Sequence, residues 1–190
     1  MAQDVNEAVR AACLWLPEAE EFLSHGSPNF RVRGKTFATY AVNHHGDGRV
    51  ALWLNALPGS QDIQVRAEPE HFFVPPYVGP RGWLGVVLDR GIAWERVVAL
   101  VREAYEKVAP ADLRAVIGHT PALKAPSAPL SPSQIDPLQS PRALAVLERL
   151  RKLCLALPEV TEDRQFGHPV WRAGKKPFAL ARHERRRLTL

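Results

Sequence analysis

The feature that most constrains this chain is a stretch of thirty residues that occurs twice. Residues 9–38 align with residues 150–179 at a constant offset of 141 positions and without a gap. Thirteen of the thirty paired positions are identical, whereas about one or two identities are expected by chance. The sequence therefore predicts an internal repeat whose second copy stops at Leu190, soon after the shared stretch.

The first copy has the periodicity of an α+β domain. Apolar residues recur at helical spacing at its start, short strands joined by tight turns follow, and a second long helix closes it. We predict a helix over residues 3–16, a connection over the acidic residues 18–21, a three-strand meander over 29–55, a short helix over 68–73, a strand over 83–88 and a helix over 93–108. Residues 1–117 are thus expected to form an antiparallel sheet with helices packed on one face.

The composition changes after this first domain. Residues 118–141 contain six prolines among serines and alanines and have few bulky apolar side chains. Such a segment buries too little apolar surface to fold by itself, so the sequence predicts a proline-rich linker. Residues 142–190 then form the truncated second copy: a helix with Ser140 as its N-cap, a hairpin, and a third strand that begins at Arg187.

The positive charge is concentrated in the second copy. The whole chain has a formal net charge of +5. Residues 141–190 contain twelve Lys or Arg and five Asp or Glu, which gives +7, and residues 1–140 contain thirteen and fifteen, which gives −2. Because affinity for a phosphate backbone requires clustered positive charge, this distribution favours the second copy as the site for nucleic acid.

Several protein classes are excluded by the sequence. No run approaches the roughly 20 apolar residues of a membrane span, and residues 1–10 lack the apolar core of a signal peptide. We therefore predict a cytoplasmic protein without a membrane partner. Cys13 and Cys154 lie in apolar helical contexts and are predicted to be buried thiols. No zinc-site spacing, phosphate-binding loop or dinucleotide fingerprint is present, so the sequence predicts neither metal nor cofactor.

The two copies carry a recognisable series of motifs. A helix ends in Cys-Leu-x-Leu-Pro-Glu, and Gly-(His)-Pro-x-aromatic-Arg-x-x-x-Lys-x-Phe-Ala follows. The first copy adds a Trp-containing strand and a Tyr-bearing last helix. This series resembles the MmcQ/YjbR family over residues 5–110 and, as an N-terminal portion, over residues 142–190. The first copy departs from the family pattern at Ser27, where the family usually has His. The resemblance implies a CyaY-like α+β fold, also described as a double wing, and family members are commonly labelled DNA-binding.

The basic residues of the two hairpins are the candidate phosphate contacts. Each copy places an arginine and a lysine on or beside its hairpin, and a dense arginine run follows in the second copy. Such residues position a protein on a nucleic-acid backbone, although the same pattern is typical of a solvated sheet face. The candidate residues are Arg31, Arg33, Lys35, Arg172, Lys175, Lys176, Arg185, Arg186 and Arg187.

No catalytic constellation is recognisable in the sequence. Ser24 and Ser27 lie near His25, but neither an oxyanion loop nor a third member accompanies them. A non-enzymatic binding module with DNA as its partner is therefore the leading hypothesis. The alternative is a protein-interaction or assembly module, in which the open sheet edge near Leu190 pairs with another copy or another protein. A cluster of aromatic residues either stacks on bases or packs in the core, and it comprises Phe72, Phe73, Tyr77 and Trp83.

Overall fold

The computed structural model describes residues 3–184 and 187–189, and the chain forms two compact units. The first unit comprises residues 3–42 and 49–129, and the second comprises residues 43–48 together with the described residues from 130 onward. Among the described residues, no helix combines the length and the apolar character that crossing a membrane requires.

The first unit combines an antiparallel sheet with helices. Its elements are α1 (Val5–Leu14), β1 (Ala19–Ser24), β2 (Ser27–Val32), β3 (Lys35–Val42), β4 (Val50–Leu54), α2 (Ser60–Ala67), β5 (Phe72–Phe73), β6 (Leu84–Val87), α3 (Trp94–Val108) and α4 (Ala111–Ala115). The six strands pair antiparallel in the order β1-β2-β3-β4-β6-β5. The predicted combination of an antiparallel sheet with helices is confirmed.

Helix α3 packs on the sheet because one of its faces is apolar. Its residues Val97, Val101 and Tyr105 are buried, and the helix contacts α1 and the strands β2, β3 and β4. Tyr105 holds the helix at two points. Its ring meets the ring of Phe37 edge-on with 5.5 Å between centroids, and its hydroxyl donates a hydrogen bond to the Pro17 carbonyl at 2.7 Å. This geometry combines aromatic burial with a satisfied polar group.

A second apolar cluster involves the aromatic residues for which the sequence left two roles open. Phe73 and Trp83 pack with Trp53 in this cluster. Phe72, Phe73 and Trp83 are buried, which confirms core packing for these three residues. Tyr77 is exposed.

Two local predictions for the first unit were wrong. The acidic segment 18–21 does not merely connect α1 to the sheet, because Ala19–Ser24 forms the edge strand β1. The glutamates of this strand are tolerated there because they pair with arginines on neighbouring elements. Residues 68–73 do not form the predicted helix, since residues 72–73 form β5, and the helix α2 (Ser60–Ala67) precedes them where we expected a short strand or an extended connector over 63–66.

The second unit contains a smaller sheet and one long helix. Its elements are α5 (Pro132–Ile135), α6 (Pro141–Leu155), β7 (Val160–Gln165), β8 (His168–Ala173), β9 (Lys176–Leu180), β10 (Arg182–Glu184) and β11 (Arg187–Thr189). The strands β7, β8 and β9 form one antiparallel sheet, and β10 and β11 form a separate antiparallel pair. The core surrounds Trp171, which is fully buried and packs with Leu138, Leu147, Cys154 and Ala181.

The start of α6 has the predicted cap. The Ser140 side-chain oxygen accepts a hydrogen bond from the Ala143 backbone N–H at 3.4 Å, and Pro141 occupies the first helical position. A serine at this place satisfies one of the helix's unpaired backbone donors, and proline there loses no hydrogen bond.

Both cysteines are buried, free thiols, as predicted. Burial raises the pKa of Cys13 and of Cys154, so both thiols are protonated near neutral pH. They therefore pack as small apolar side chains rather than as nucleophiles.

The segment predicted as a linker has more structure than its proline content indicates. Near its middle, the Ser127 backbone N–H donates to the Gln3 carbonyl at 3.0 Å. Further on, residues 132–135 and 137–139 form short helical turns. Leu138 is buried in the core of the second unit. Composition alone missed this because two leucines, Leu130 and Leu138, are buried within the segment.

The third strand predicted for the second copy differs from expectation. We expected a strand from Arg187 to Leu190 that continues the meander after β9. Instead, Arg187–Thr189 pairs with Arg182–Glu184, and neither strand joins the sheet of β7, β8 and β9. Strand β11 thus exchanges backbone hydrogen bonds with β10 and not with β9. Leu190 lies outside the described residues.

Candidate nucleic-acid interface

The two basic hairpins are β2–β3 in the first unit and β8–β9 in the second. In β2–β3 the pairing shifts between Phe30 and Arg31, which places a bulge beside the arginine. In β8–β9 the pairing shifts between Trp171 and Arg172. The local backbone is therefore alike at both arginines, and a difference in their surroundings arises from the neighbouring side chains.

In the first hairpin, carboxylates neutralise both arginines. The Arg31 Nε donates to Glu20 at 2.7 Å. Arg33 forms a bidentate pair with Glu18, at 2.6 and 2.8 Å, and also reaches Asp112 at 3.4 Å. Arg33 lowers the pKa of Glu18, so this carboxylate stays charged. These two predicted phosphate contacts are thus engaged within the first unit.

In the second hairpin, the corresponding arginine has only neutral partners. Arg172 donates to the side-chain oxygen of Gln165 at 3.0 Å and to the backbone carbonyl of Lys175 at 3.3 Å. Thr161 faces Arg172 across the strands, where the first unit has Glu20 facing Arg31. Lys175 and Lys176 are exposed. Among the side chains of residues 3–182, no carboxylate forms an ion pair with these three cations.

The structure brings together only part of the predicted set. Arg172, Lys175 and Lys176 share one hairpin, whereas Lys35 lies exposed in the other. Arg185 and Arg186 lie outside the described residues. Arg187 belongs to β11, in the separate two-stranded pair. The glutamates of β1 were not predicted as partners, because Ala19–Ser24 lacks the alternation of polar and apolar residues that predicts a strand.

One ion pair occurs in both units and links the first strand of a sheet, β1 or β7, to the helix that precedes it, α1 or α6. Arg10 binds Glu21 with distances of 2.7 and 2.9 Å, and Arg151 binds Glu162 with distances of 2.7 and 2.8 Å. Both pairs are bidentate, the geometry in which guanidinium and carboxylate match best. These arginines are therefore engaged in structure and are not available for a ligand.

The second of these ion pairs predicts a pH-dependent stability. Its hydrogen bond from Arg151 holds the pKa of Glu162 below the ordinary value of 4.5. A carboxyl group whose pKa is depressed in the folded state stabilises it above the ordinary pKa, and this stabilisation is lost as pH falls through the folded pKa. Since both side chains are partly exposed, we expect Glu162→Gln to cost about 0.5–1 kcal/mol near neutral pH.

Urea unfolding of wild type and Glu162→Gln at neutral pH and at about pH 3 checks this expectation, because the difference should shrink at the lower pH. The same difference at both values would show that the charge of Glu162 is not its source.

Two further groups of polar residues have structural explanations. The Ser24 hydroxyl lies 3.0 Å from the His25 ring nitrogen on an exposed turn, and no third member accompanies this pair among the described residues. Glu68, Glu70 and His71 place possible metal-binding atoms close together. Both carboxylate oxygens of Glu68, however, accept hydrogen bonds from Arg96 at 2.7 Å. An arginine thus supplies the positive charge that this carboxylate requires.

Comparisons with known proteins bear on the first unit. No curated protein matches the chain closely enough to be called a relative. The crystal structure of DR2400 of Deinococcus radiodurans, which carries the domain DUF419, is 21% identical and has a TM-score of 0.49, with 67% of this chain and 96% of that chain covered. The family model described as YjbR matches residues 14–107. This match supports, over residues 14–107, the family resemblance drawn from the motifs.

Proposed function

We propose that this chain is a non-enzymatic nucleic-acid-binding protein of MmcQ/YjbR type that contacts phosphates through its second unit. In this proposal, the first unit is a complete, CyaY-like copy and residues 142–190 are a truncated second copy. The proposed phosphate contacts are Arg172, Lys175 and Lys176 on the hairpin β8–β9 and, from the sequence alone, the arginine run at 185–187.

The strand pairing supports the proposed second copy. Every pairing between β7 and β8 equals a pairing between β1 and β2 shifted by 141 residues. The pairings of β8 with β9 repeat those of β2 with β3 in the same way, and the bulge falls at the same place. The offset that aligns identical residues thus also aligns the backbone hydrogen-bonding pattern, which unrelated hairpins would not be expected to share.

The observation that carries the proposed function is the absence of carboxylate partners around the second hairpin in the described part of the chain. A cation already held by a carboxylate must break that pair before it can bind a phosphate. Arg31 and Arg33 are in that situation, whereas Arg172 is held by an amide and a backbone carbonyl. Arginine and lysine without acidic partners form phosphate contacts at the lowest cost.

A salt series with the full chain and a labelled generic DNA duplex tests this function. Each phosphate contact releases a counterion, so the logarithm of the binding constant should fall linearly with the logarithm of salt concentration. With three hairpin contacts and further contributions from residues 185–187, we expect a slope of about −3 to −5 in fluorescence anisotropy titrations. No retention of the duplex at low salt would refute the proposal.

A second candidate function is protein interaction through the second unit. It is favoured by strand β9, which in the described residues pairs with β8 on one side only. The corresponding strand of the first unit, β3, is paired on both sides. An unpaired strand exposes backbone donors and acceptors that can bind another chain.

A further inference from the structure

The second unit exposes an apolar surface that corresponds to a buried surface in the first. In the first unit, Ala12 of α1 and Leu16, which follows this helix, are buried, and Phe37 is fully buried beside Tyr105 of α3. The residues 141 positions later are Leu153, Leu157 and Phe178. Their exposed fractions are 71%, 52% and 48%, respectively.

We call these three residues the helix-facing surface. Their exposure does not result from a difference in the local fold. Phe37 and Phe178 both lie at the bulge of their hairpin, since both registers skip the same position. Cys13 and Cys154, which follow Ala12 and Leu153, are both buried. The difference is that α3 covers the first surface, whereas none of the described residues covers the second to that extent. Large apolar side chains that are exposed at positions buried in the first unit indicate an interaction site.

We propose that the helix-facing surface of the second unit binds an amphipathic helix of another protein, with an apolar stripe spaced as in α3. This inference deepens the protein-interaction candidate and rests on the proposed second copy. Helix α3 is the model for the bound helix. Its apolar stripe includes Val97, Val101 and Tyr105, and it packs on the equivalent surface of the first unit. Binding of an amphipathic helix by its apolar face is a common mode of recognition.

The positive charge near this surface favours a helix of another protein over a second copy of the chain as the bound partner. Arg149 lies one turn before Leu153 on α6, at the position where α1 has the buried Ala8. Lys176 lies two residues before Phe178 on β9. A symmetric dimer through this surface would bring these cations of both copies together. A helix with an acidic residue beside its apolar stripe, such as Glu103 of α3, avoids this repulsion, whereas Glu106 of α3 is already paired with Arg102.

A peptide with the sequence of residues 92–110 is a suitable probe because it contains α3 whole. A peptide of this length is only partly helical in water, so we expect a dissociation constant on the order of 10–100 μM for the full chain by fluorescence anisotropy. The double variant Leu153→Ser/Phe178→Ser should bind the peptide at least about tenfold more weakly. The control Leu23→Ser removes an equally exposed leucine from the first unit and should bind like wild type.

Changes in the peptide keep the test independent of protein folding. The peptide change Val101→Glu places a charge in the apolar stripe and should abolish binding, whereas Ala99→Glu changes an exposed position of α3 and should not. No binding of the parent peptide up to about 1 mM, or equal losses for the two peptide changes, would overturn the proposal. Self-association of the full chain that the double variant abolishes and the peptide does not inhibit would identify a second copy as the occupant and would likewise overturn it.

Duplex titration of the same proteins separates this inference from the proposed function. The serine substitutions change no charge, so the double variant should retain duplex binding. Peptide binding without duplex binding would refute only the nucleic-acid function, and the reverse result would refute only the helix-binding surface.

Discussion

Replacing Phe37 with alanine is expected to destabilise the first unit by about 3–5 kcal/mol, the usual cost of truncating a fully buried phenylalanine. Phe37 is completely buried, and its ring packs edge-on against the ring of Tyr105 at an interplanar angle of 82°. The substitution removes this aromatic contact and leaves a cavity between the sheet and α3. Urea unfolding followed by circular dichroism measures the effect as a lower midpoint of the transition.

The matched control for this prediction is Phe178→Ala. Phe178 is the same residue type at the corresponding position of the second hairpin, but 48% of it is exposed. Its removal should cost less than about 1 kcal/mol, because it leaves no closed cavity and forfeits little burial. Equal costs for the two substitutions would contradict the contrast between a covered and an uncovered surface on which the helix-binding proposal depends.

Much of the first unit could be predicted from the sequence because its elements are local. The apolar stripe of α3 repeats at helical spacing over four turns, and the helix at Trp94–Val108 agrees with the predicted range to within one residue. The tight turn at Gly34 lies between two alternating strands, which predicts a hairpin. Such signals are contained within windows of about ten residues and need no knowledge of distant partners.

The elements that sequence analysis missed depend on distant partners. The acidic start of β1 is compatible with a strand only because Arg31 and Arg10, eleven residues away from Glu20 and Glu21, provide the opposite charge. Strand β11 was expected to pair with β9, but it pairs with β10 instead. Neither choice is visible in the local pattern of apolar residues, since side-chain pairing and burial override propensity in strands.

For the candidate interface, too, the sequence predicts the local features and does not predict the distant partners. The sequence is sufficient to count the positive charges and to locate them on two hairpins. It does not reveal that Glu18 and Glu20 engage Arg33 and Arg31. Two hairpins that look equally basic therefore differ in the number of cations that have acidic partners. That difference, and not the total charge, is the reason for assigning nucleic-acid contacts to the second unit.

Neutralising the second hairpin is expected to have the largest effect on function. The triple variant Arg172→Gln/Lys175→Gln/Lys176→Gln removes three cations that lack carboxylate partners in the described part of the chain. Loss of three phosphate contacts should reduce the salt slope by about 2.7 and weaken duplex binding on the order of 100-fold near 0.1 M salt. The matched control, Arg31→Gln/Arg33→Gln/Lys35→Gln, changes the net charge equally, from +5 to +2.

Duplex binding by these two triple variants of the full chain, titrated side by side with wild type at several salt concentrations, is the most direct test of the account. The account predicts that the second-hairpin variant loses most of the affinity and that the first-hairpin variant stays within about threefold of wild type, because two of its cations are already paired with carboxylates. Equal losses in both variants would show that only net charge matters, and a larger loss in the first-hairpin variant would contradict the assignment of binding to the second unit.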